Sequence, residues 1–152
     1  MHITVREMEA SDRAAWAEMR AALWPEETPA AHATAIDNVL GDANVWGFIA
    51  EAPDGTPAAF AELAIRGYAN GCDSAPVPFL EGIWVAAPLR RQGMATQLIA
   101  HLEAFVAARG FCEIGSDTPI DNHGSQAAHR GWGFSETERV VYFRKVLTSV
   151  VR

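Results

Sequence analysis

Apolar positions follow two different periods along the chain, and the switches between them predict alternating strands and helices. Ile3 and Val5 alternate with Thr4 and Arg6 as a first strand. Ser11-Asp12 then offers a helix cap, and Trp16, Met19 and Leu23 recur at helical spacing until Trp24-Pro25 stops the helix. A second helix starts at Thr28 as its cap with Pro29 in the first turn, buries Ile36, Val39 and Leu40, and ends at Gly41. Val45–Glu51 and Pro57–Arg66 flank Pro53-Asp54-Gly55 as the arms of a hairpin. After the loop Gly67–Pro78, the apolar stretch Phe79–Val85 reads as a strand and leads into a helix reaching Arg109. Met94, Leu98, Leu102 and Phe105 form the apolar face of that helix, and Gly110 closes it. Phe111–Ser116 follows as a strand parallel to its predecessor, since a helix connects them. A short helix around Ser125–Arg130, then Gly133-Phe134 and strand material from Ser135 to Leu147 complete a mixed α/β order with a βαβ unit in its second half.

Composition narrows the class. A chain of 152 residues, 49% hydrophobic and with five tryptophans, is expected to fold as one domain over 1–152. Its apolar runs are too short to span a bilayer and Met1–Arg6 does not read as a signal peptide, so the cytoplasm is expected. Cys72 and Cys112 give neither a disulfide framework nor a metal-ligand spacing, and the five histidines are scattered, so no metal is expected. The net charge of −7 argues against nucleic acid and anionic membranes as partners and is compatible with a cationic small molecule.

The strongest local signal is Arg90-Arg91-Gln92-Gly93-Met94-Ala95, of the form Arg-x-x-Gly-x-Ala, set between a strand and a helix. A strand that turns into a helix through glycine presents unpaired backbone N–H groups at the positive helix end, and arginines add charge-assisted bonds suited to phosphate. The lysine of a nucleoside-triphosphate loop and the second glycine of a dinucleotide fingerprint are absent. What remains is a pyrophosphate cradle.

With Asn122, Ser125, His129, Gly133 and Phe134 at the expected distances behind it, this segment resembles the coenzyme A loop of the GNAT superfamily of N-acetyltransferases. His129 stands where relatives usually carry a tyrosine. The resemblance implies a GNAT fold: a central, mixed, mostly antiparallel β-sheet with a V-shaped splay between two parallel strands, flanked by about four helices. Leu23-Trp24-Pro25, Tyr68–Ser74, Phe79–Ile83, Ser116–Thr118 and Glu136–Val140 further resemble the aminoglycoside 6′-N-acetyltransferases of bacterial chromosomes, enzymes of antibiotic resistance.

That resemblance implies acetyl-coenzyme A as donor, an aminoglycoside amine as acceptor and a homodimer, with the apolar tail Val140–Val151 as a candidate interface strand. It assigns the donor to backbone groups of Ile83, Trp84 and Val85, to the cradle Arg90, Arg91, Gln92, Gly93, Met94, Ala95 and Thr96, and to Asn122 and His129. It assigns the acceptor to Trp24, Tyr68, Asp73, Glu81, Asp117 and Glu138. A protonated amine has no lone pair, so a proton must leave before or during attack, and Asp117 and Glu81 are the candidates to take or relay it. His129 is the candidate to protonate the leaving thiolate, or else only hydrogen-bonds the coenzyme.

The residues also admit plainer roles. Glu81 is the only charge in Pro76–Ala87, which demands a partner or a function. Asp117 also suits a cap on the loop at Thr118-Pro119, Asp73 a turn, Glu138 a solvated charged run, and Trp24 core packing at a helix end. Cys112 reads as a small buried apolar residue, which favours direct transfer over an acyl-cysteine route. The rival functions are an N-acetyltransferase for a polyamine, amino sugar or protein amine, and a non-catalytic acyl-coenzyme-A-binding module.

Overall fold

The hairpin between Val45 and Arg66 forms the centre of the sheet. The structure, a computed structural model, describes residues 2–149. Strands β2 (Val45–Glu51) and β3 (Pro57–Arg66) pair antiparallel from Val45↔Ala64 to Glu51↔Pro57. Their turn places Gly55 at φ +84°, and the Asp54 carboxylate accepts a 2.9 Å bond from the Thr56 N–H. Strand β1 (Thr4–Glu7) lies antiparallel along the outer side of β2, and β4 (Val77–Val85) antiparallel along β3. Strand β5 (Gly115–Ser116) joins β4 in parallel, giving the order β1-β2-β3-β4-β5.

Helices cover both faces. α1 (Arg13–Leu23) and α2 (Pro29–Gly41) pack on one face, where Trp16, Met19, Ile36, Ile49 and Phe60 are buried together. α3 (Met94–Ala107) covers the other, burying Met94, Leu98 and Leu102 against Phe48, Leu63 and Leu80, with Phe105 at the edge. α4 (His123–Gly131) follows β5. The start of α2 is as its residues dictate: the Thr28 hydroxyl accepts a 3.1 Å bond from the Ala31 N–H and Pro29 occupies the first turn. Before α1 the outcome differs. A 3-10 turn (Ala10–Asp12) precedes the helix, and Asp12 makes no side-chain cap to α1. Its carboxylate instead accepts two 2.9 Å bonds from Arg6 and one of 2.8 Å from the Glu9 N–H, so an available guanidinium outcompetes the helix.

Two strand expectations need correction. Of Phe111–Ser116 only Gly115 and Ser116 pair, because β4 and β5 diverge beyond them. Ser135–Leu147 forms no strand, and Val141, Tyr142, Phe143, Val146 and Leu147 are each more than 70% exposed. A strand exists only where another backbone completes its hydrogen bonds, and β5 offers two residues. The last of the apolar tail, residues 150 and 151, lies outside the described residues. Among the described residues no helix is long and apolar enough to cross a membrane.

Trp16 is fully buried and lies against β2, where a Cβ at Gly47 would stand 2.5 Å from its indole ring. Gly47→Ala is expected to lower stability by about 1–3 kcal/mol through overpacking, read as a reduced midpoint in thermal or urea unfolding.

Candidate active site

Strand β4 organises the site. It pairs with β3 as far as Val85 but with β5 only at Phe79↔Gly115 and Leu80↔Ser116. From Glu81 to Val85 its other edge faces no strand among the described residues. The divergence coincides with a bulge: Glu62 pairs with Gly82 and Leu63 with Leu80, which leaves Glu81 as the extra residue. The contact of β5 with β4 is close because Gly115 lacks a side chain; a Cβ there would lie 2.7 Å from the Cys72 sulfur and 2.9 Å from the Phe79 ring.

Beyond β4 a 3-10 turn (Ala87–Leu89) leads to Arg91 at φ +62° and Gly93 at φ +80°, and α3 opens at Met94. A Cβ on Gly93 would meet nothing within 4 Å, so the left-handed backbone and not crowding demands glycine. The first donor into the helix is Gln97, 3.0 Å from the Gly93 carbonyl. The N–H groups from Arg91 through Thr96 have no acceptor among the described residues, which leaves a row of donors at the positive end of a 14-residue helix. Two cradle side chains brace the loop itself: Arg90 Nε donates to the Val85 carbonyl at 3.0 Å and Gln92 Nε2 to the Pro88 carbonyl at 3.1 Å.

On the opposite side, Glu81 accepts two bonds from Arg66, at 2.8 and 2.7 Å. Its buried-charge problem is thus solved by a partner fifteen residues earlier, on β3. Arg66 also lies 3.6 Å over the Phe79 ring, and its basicity is raised chiefly by the bond to Glu81, with the charge of Asp117 adding to it. Glu81, Arg66 and Asp117 therefore form one electrostatic group at the fork. Asp117 is exposed and has no hydrogen bond among the described residues, so it does not cap Thr118-Pro119. Sequence reading missed Arg66, because nothing local marks it as the partner of Glu81.

The loop of residues 67–76 carries Tyr68 and Asp73. Tyr68 is 70% exposed and its hydroxyl donates to Asn70 Oδ1 at 2.6 Å. The Asp73 side chain is exposed, while its N–H and that of Ser74 are held by the Glu113 carboxylate at 3.1 and 2.7 Å. These bonds, from Ser74 first and Asp73 second, hold the Glu113 carboxyl below its usual range. The tail crosses this loop where Thr137 approaches Gly71, and Glu138 is placed beside it, exposed. Loop, β5, α4 and tail enclose a cleft of about 1170 Å³ lined by Arg66, Tyr68, Asp117, His129 and Glu138. Glu81, Trp24 and the cradle lie outside it.

Trp24 ends α1 half-buried. Its ring meets Phe60 edge-on at 6.2 Å and lies against Gly82, next to Glu81. It both packs on the core rim and retains an exposed part. His129 Nε2 is 2.7 Å from the Ser116 hydroxyl and Nδ1 is 2.7 Å from the Ser125 carbonyl. With Nδ1–H donating to that carbonyl, Nε2 accepts from Ser116, so His129 is linked to the end of β5 through a hydroxyl. Asn122 caps α4, accepting from the Ser125 N–H at 3.0 Å. Cys112 is exposed, contrary to its reading as a buried residue, because the segment after α3 runs outside the sheet. Burial, with Glu113 and Asp73 nearby, pushes the Cys72 thiol up. Among the described residues no group of three or more His, Cys, Asp or Glu is placed to hold a metal ion.

Comparison with known proteins adds a second line of observation. The model of the acetyltransferase (GNAT) family matches residues 12–134. The aminoglycoside N(6′)-acetyltransferase type 1 of Serratia marcescens is 46% identical over 134 residues, 88% of this chain and 92% of that protein. The protein of the same name from Salmonella enteritidis is 42% identical over 142 residues, 93% and 97% of the two chains. Among solved structures, AAC(6′)-Iy in complex with the bisubstrate analog CoA-S-monomethyl-acetylneamine superposes with a TM-score of 0.91 at 40% identity, covering 97% of this chain and 100% of that one. AAC(6′)-Ih from Acinetobacter baumannii gives 0.90 at 34% identity, covering 97% and 100%.

Glu113 offers a direct check on the loop. Its folded pKa is depressed, so its bonds to Asp73 and Ser74 are present throughout the range where an ordinary glutamate is ionised and are lost only as pH falls through the lower folded value. Glu113→Ala is expected to speed amide hydrogen exchange at Asp73 and Ser74 by about tenfold.

Proposed function

The chain belongs to the acetyltransferase (GNAT) family, and from that premise we propose that it transfers the acetyl group of acetyl-coenzyme A to the 6′-amine of an aminoglycoside. One observation carries the reading: a backbone anion cradle and a pair of carboxylates open on the same fork of the sheet, at the end of β4 and beside β5. The relatives' acceptor, a compact polycation, suits those carboxylates.

The cradle fits the donor. The N–H groups of Arg91 through Thr96 suit a pyrophosphate, and Arg90 and Arg91 supply compensating charge. The open edge of β4 from Glu81 to Val85 offers backbone groups that would hold the arm of the coenzyme and polarise its thioester carbonyl. Bound acetyl-coenzyme A supplies the activated acetyl thioester. The chain's residues then have separable tasks. Asp117, with no hydrogen bond of its own among the described residues, takes the proton from the acceptor's ammonium and so frees the amine lone pair to attack, while Glu81, whose two oxygens are engaged by Arg66, contributes charge and relay. Trp24 and Tyr68 present aromatic faces to sugar C–H groups and ammonium. Asp73 and Glu138 add cation contacts from the loop and the tail. When protonated, His129 would donate from Nε2 to the Ser116 hydroxyl, whose own proton would then be free for the leaving thiolate, and Asn122 would contact the arm with the part of its amide not used in the cap.

The same reading makes residues 1–152 one catalytic unit, in the cytoplasm where acetyl-coenzyme A is available, and a homodimer. The exposed run from Val140 to Leu147 supports the dimer: Phe143 is 92% exposed, and such a stretch is satisfied by pairing with a second copy.

Thiol release from acetyl-coenzyme A, followed with kanamycin, spermidine or a lysine peptide, tests the acceptor. Turnover with kanamycin is expected. Turnover with spermidine or peptide alone moves the activity to another amine, and none with any acceptor leaves only a binding module. Asp117→Asn is expected to cut kcat about 100-fold or more while the acetyl-coenzyme A KM holds. Phe143→Asp is expected to convert the sedimenting species from dimer to monomer.

A further inference from the structure

A buried polar cluster lies beneath Trp24 that no step above uses. Trp16 and Arg20 fall four residues apart on one face of α1, and Trp24 is the residue that ends the helix. Glu62 comes up from β3 beneath them, 5% exposed, at the position paired with Gly82 across the bulge. Its carboxylate accepts from Trp16 Nε1 at 2.8 Å and from Arg20 at 2.5 Å on each oxygen. Arg20, 6% exposed, uses Nε to donate to His32 Nδ1 at 3.2 Å. That bond assigns the tautomer: Nδ1 has no proton, and Nε2–H donates to the Trp24 carbonyl at 3.2 Å. Glu27 closes the outer side, 3.8 Å from Arg20 and 3.5 Å from His32.

Two members reach Trp24 directly. The Arg20 guanidinium lies 4.6 Å over the Trp24 ring, and His32 tethers its backbone carbonyl. Gly82 completes the seat, since a Cβ there would come within 2.5 Å of the benzo edge of the indole. Ring face, ring edge and main chain are thus each fixed by a different group. Simple adhesion of α1 to the sheet does not require this. Well-packed apolar residues hold buried surfaces together as well as or better than a buried ion pair, which must repay its desolvation. Apolar residues cannot aim a cation at a ring face and a donor at a carbonyl at the same time.

We propose that Arg20, Glu62 and His32 are positioning residues for the acceptor: they set the plane of the Trp24 ring beside Glu81, and through it the affinity for a cationic sugar. The inference rests on the reading of Trp24 as an acceptor wall. Glu62 neutralises and orients Arg20, Arg20 fixes the ring face, and His32 fixes the turn that carries the ring. None of the three touches the acceptor, so their effect belongs in acceptor KM and not in the chemical step.

The test uses the full-length enzyme with kanamycin and acetyl-coenzyme A. Arg20→Lys keeps a cation beside Glu62 but loses the planar group over Trp24 and the bond to His32. Acceptor KM is expected to rise about tenfold, with kcat and acetyl-coenzyme A KM held within about twofold. His32→Leu is expected to raise acceptor KM similarly, and His32→Gln, which still accepts from Arg20 and donates to the carbonyl, to restore it. Gly82→Ala, which leaves the cluster intact and displaces the ring, is expected to raise it too. A lowered melting temperature with unchanged acceptor KM in Arg20→Lys and His32→Leu would mean a purely structural cluster and would overturn the proposal. Trp24→Ala separates the two levels. If it leaves acceptor KM unchanged, the wall reading itself fails and the inference with it; if it raises KM while the cluster variants do not, only the inference fails.

Discussion

The two-residue contact between β4 and β5 is the constraint on which the rest of the site depends. Parallel strands that continued to pair past Leu80 and Ser116 would close the edge of β4 with hydrogen bonds. Here the bulge at Glu81 turns β4 away as soon as the pairing is made. Gly115 sets how tightly the two strands start, because the sulfur of Cys72 and the ring of Phe79 occupy the space of its missing side chain. The divergence then does three things at once. It exposes backbone donors and acceptors along β4, projects Glu81 from the bulge, and releases Asp117 from the end of β5. The cradle is the continuation of the same strand, reached through one 3-10 turn and two left-handed residues. The elements proposed for donor and acceptor are therefore positioned by one departure from regular pairing.

The charges at the fork obey a different logic from the cradle. Glu81 sits in an otherwise uncharged strand and Asp117 beside it, in a chain that is already acidic. Arg66 makes the carboxylates tolerable: it forks onto Glu81, stacks on Phe79 and feels Asp117. The site thus holds an internal cation next to the place proposed for an external one. That is why the two carboxylates differ in availability, one doubly engaged and the other without a hydrogen bond.

Local patterns were readable in the sequence wherever the determinant was itself local. The Thr28-Pro29 helix start, the hairpin at Asp54-Gly55, and the cradle all depend on residues within a few positions of one another, and each formed as expected. Phe111–Ser116 and Ser135–Leu147 have strand-like composition, yet a strand also needs a partner, and the sheet supplies two positions for the first and none for the second. Arg66 with Glu81, Glu113 with Ser74, and Arg20 with Glu62 are fifteen, 39 and 42 residues apart. Tertiary packing brings them together, and no one-dimensional spacing signals it. Asp12 differs from these, since its competitor Arg6 stands only six residues earlier and takes the carboxylate across a turn.

This division explains why the loop proposed for the donor is the more legible half. A pyrophosphate cradle is built from main-chain N–H groups, so its sequence requirement reduces to a glycine that can take φ +80° at the mouth of a helix. An acceptor wall is built from side chains whose angles depend on what lies behind them. Trp24 is visible as a letter, but its usefulness depends on Gly82 leaving room, on Arg20 over its face and on Glu62 holding Arg20 there. Two chains with the same wall residue and different groups beneath it would present different surfaces to a sugar. On the proposed reading, acceptor preference in this chain is accordingly set one layer below the residues that make contact.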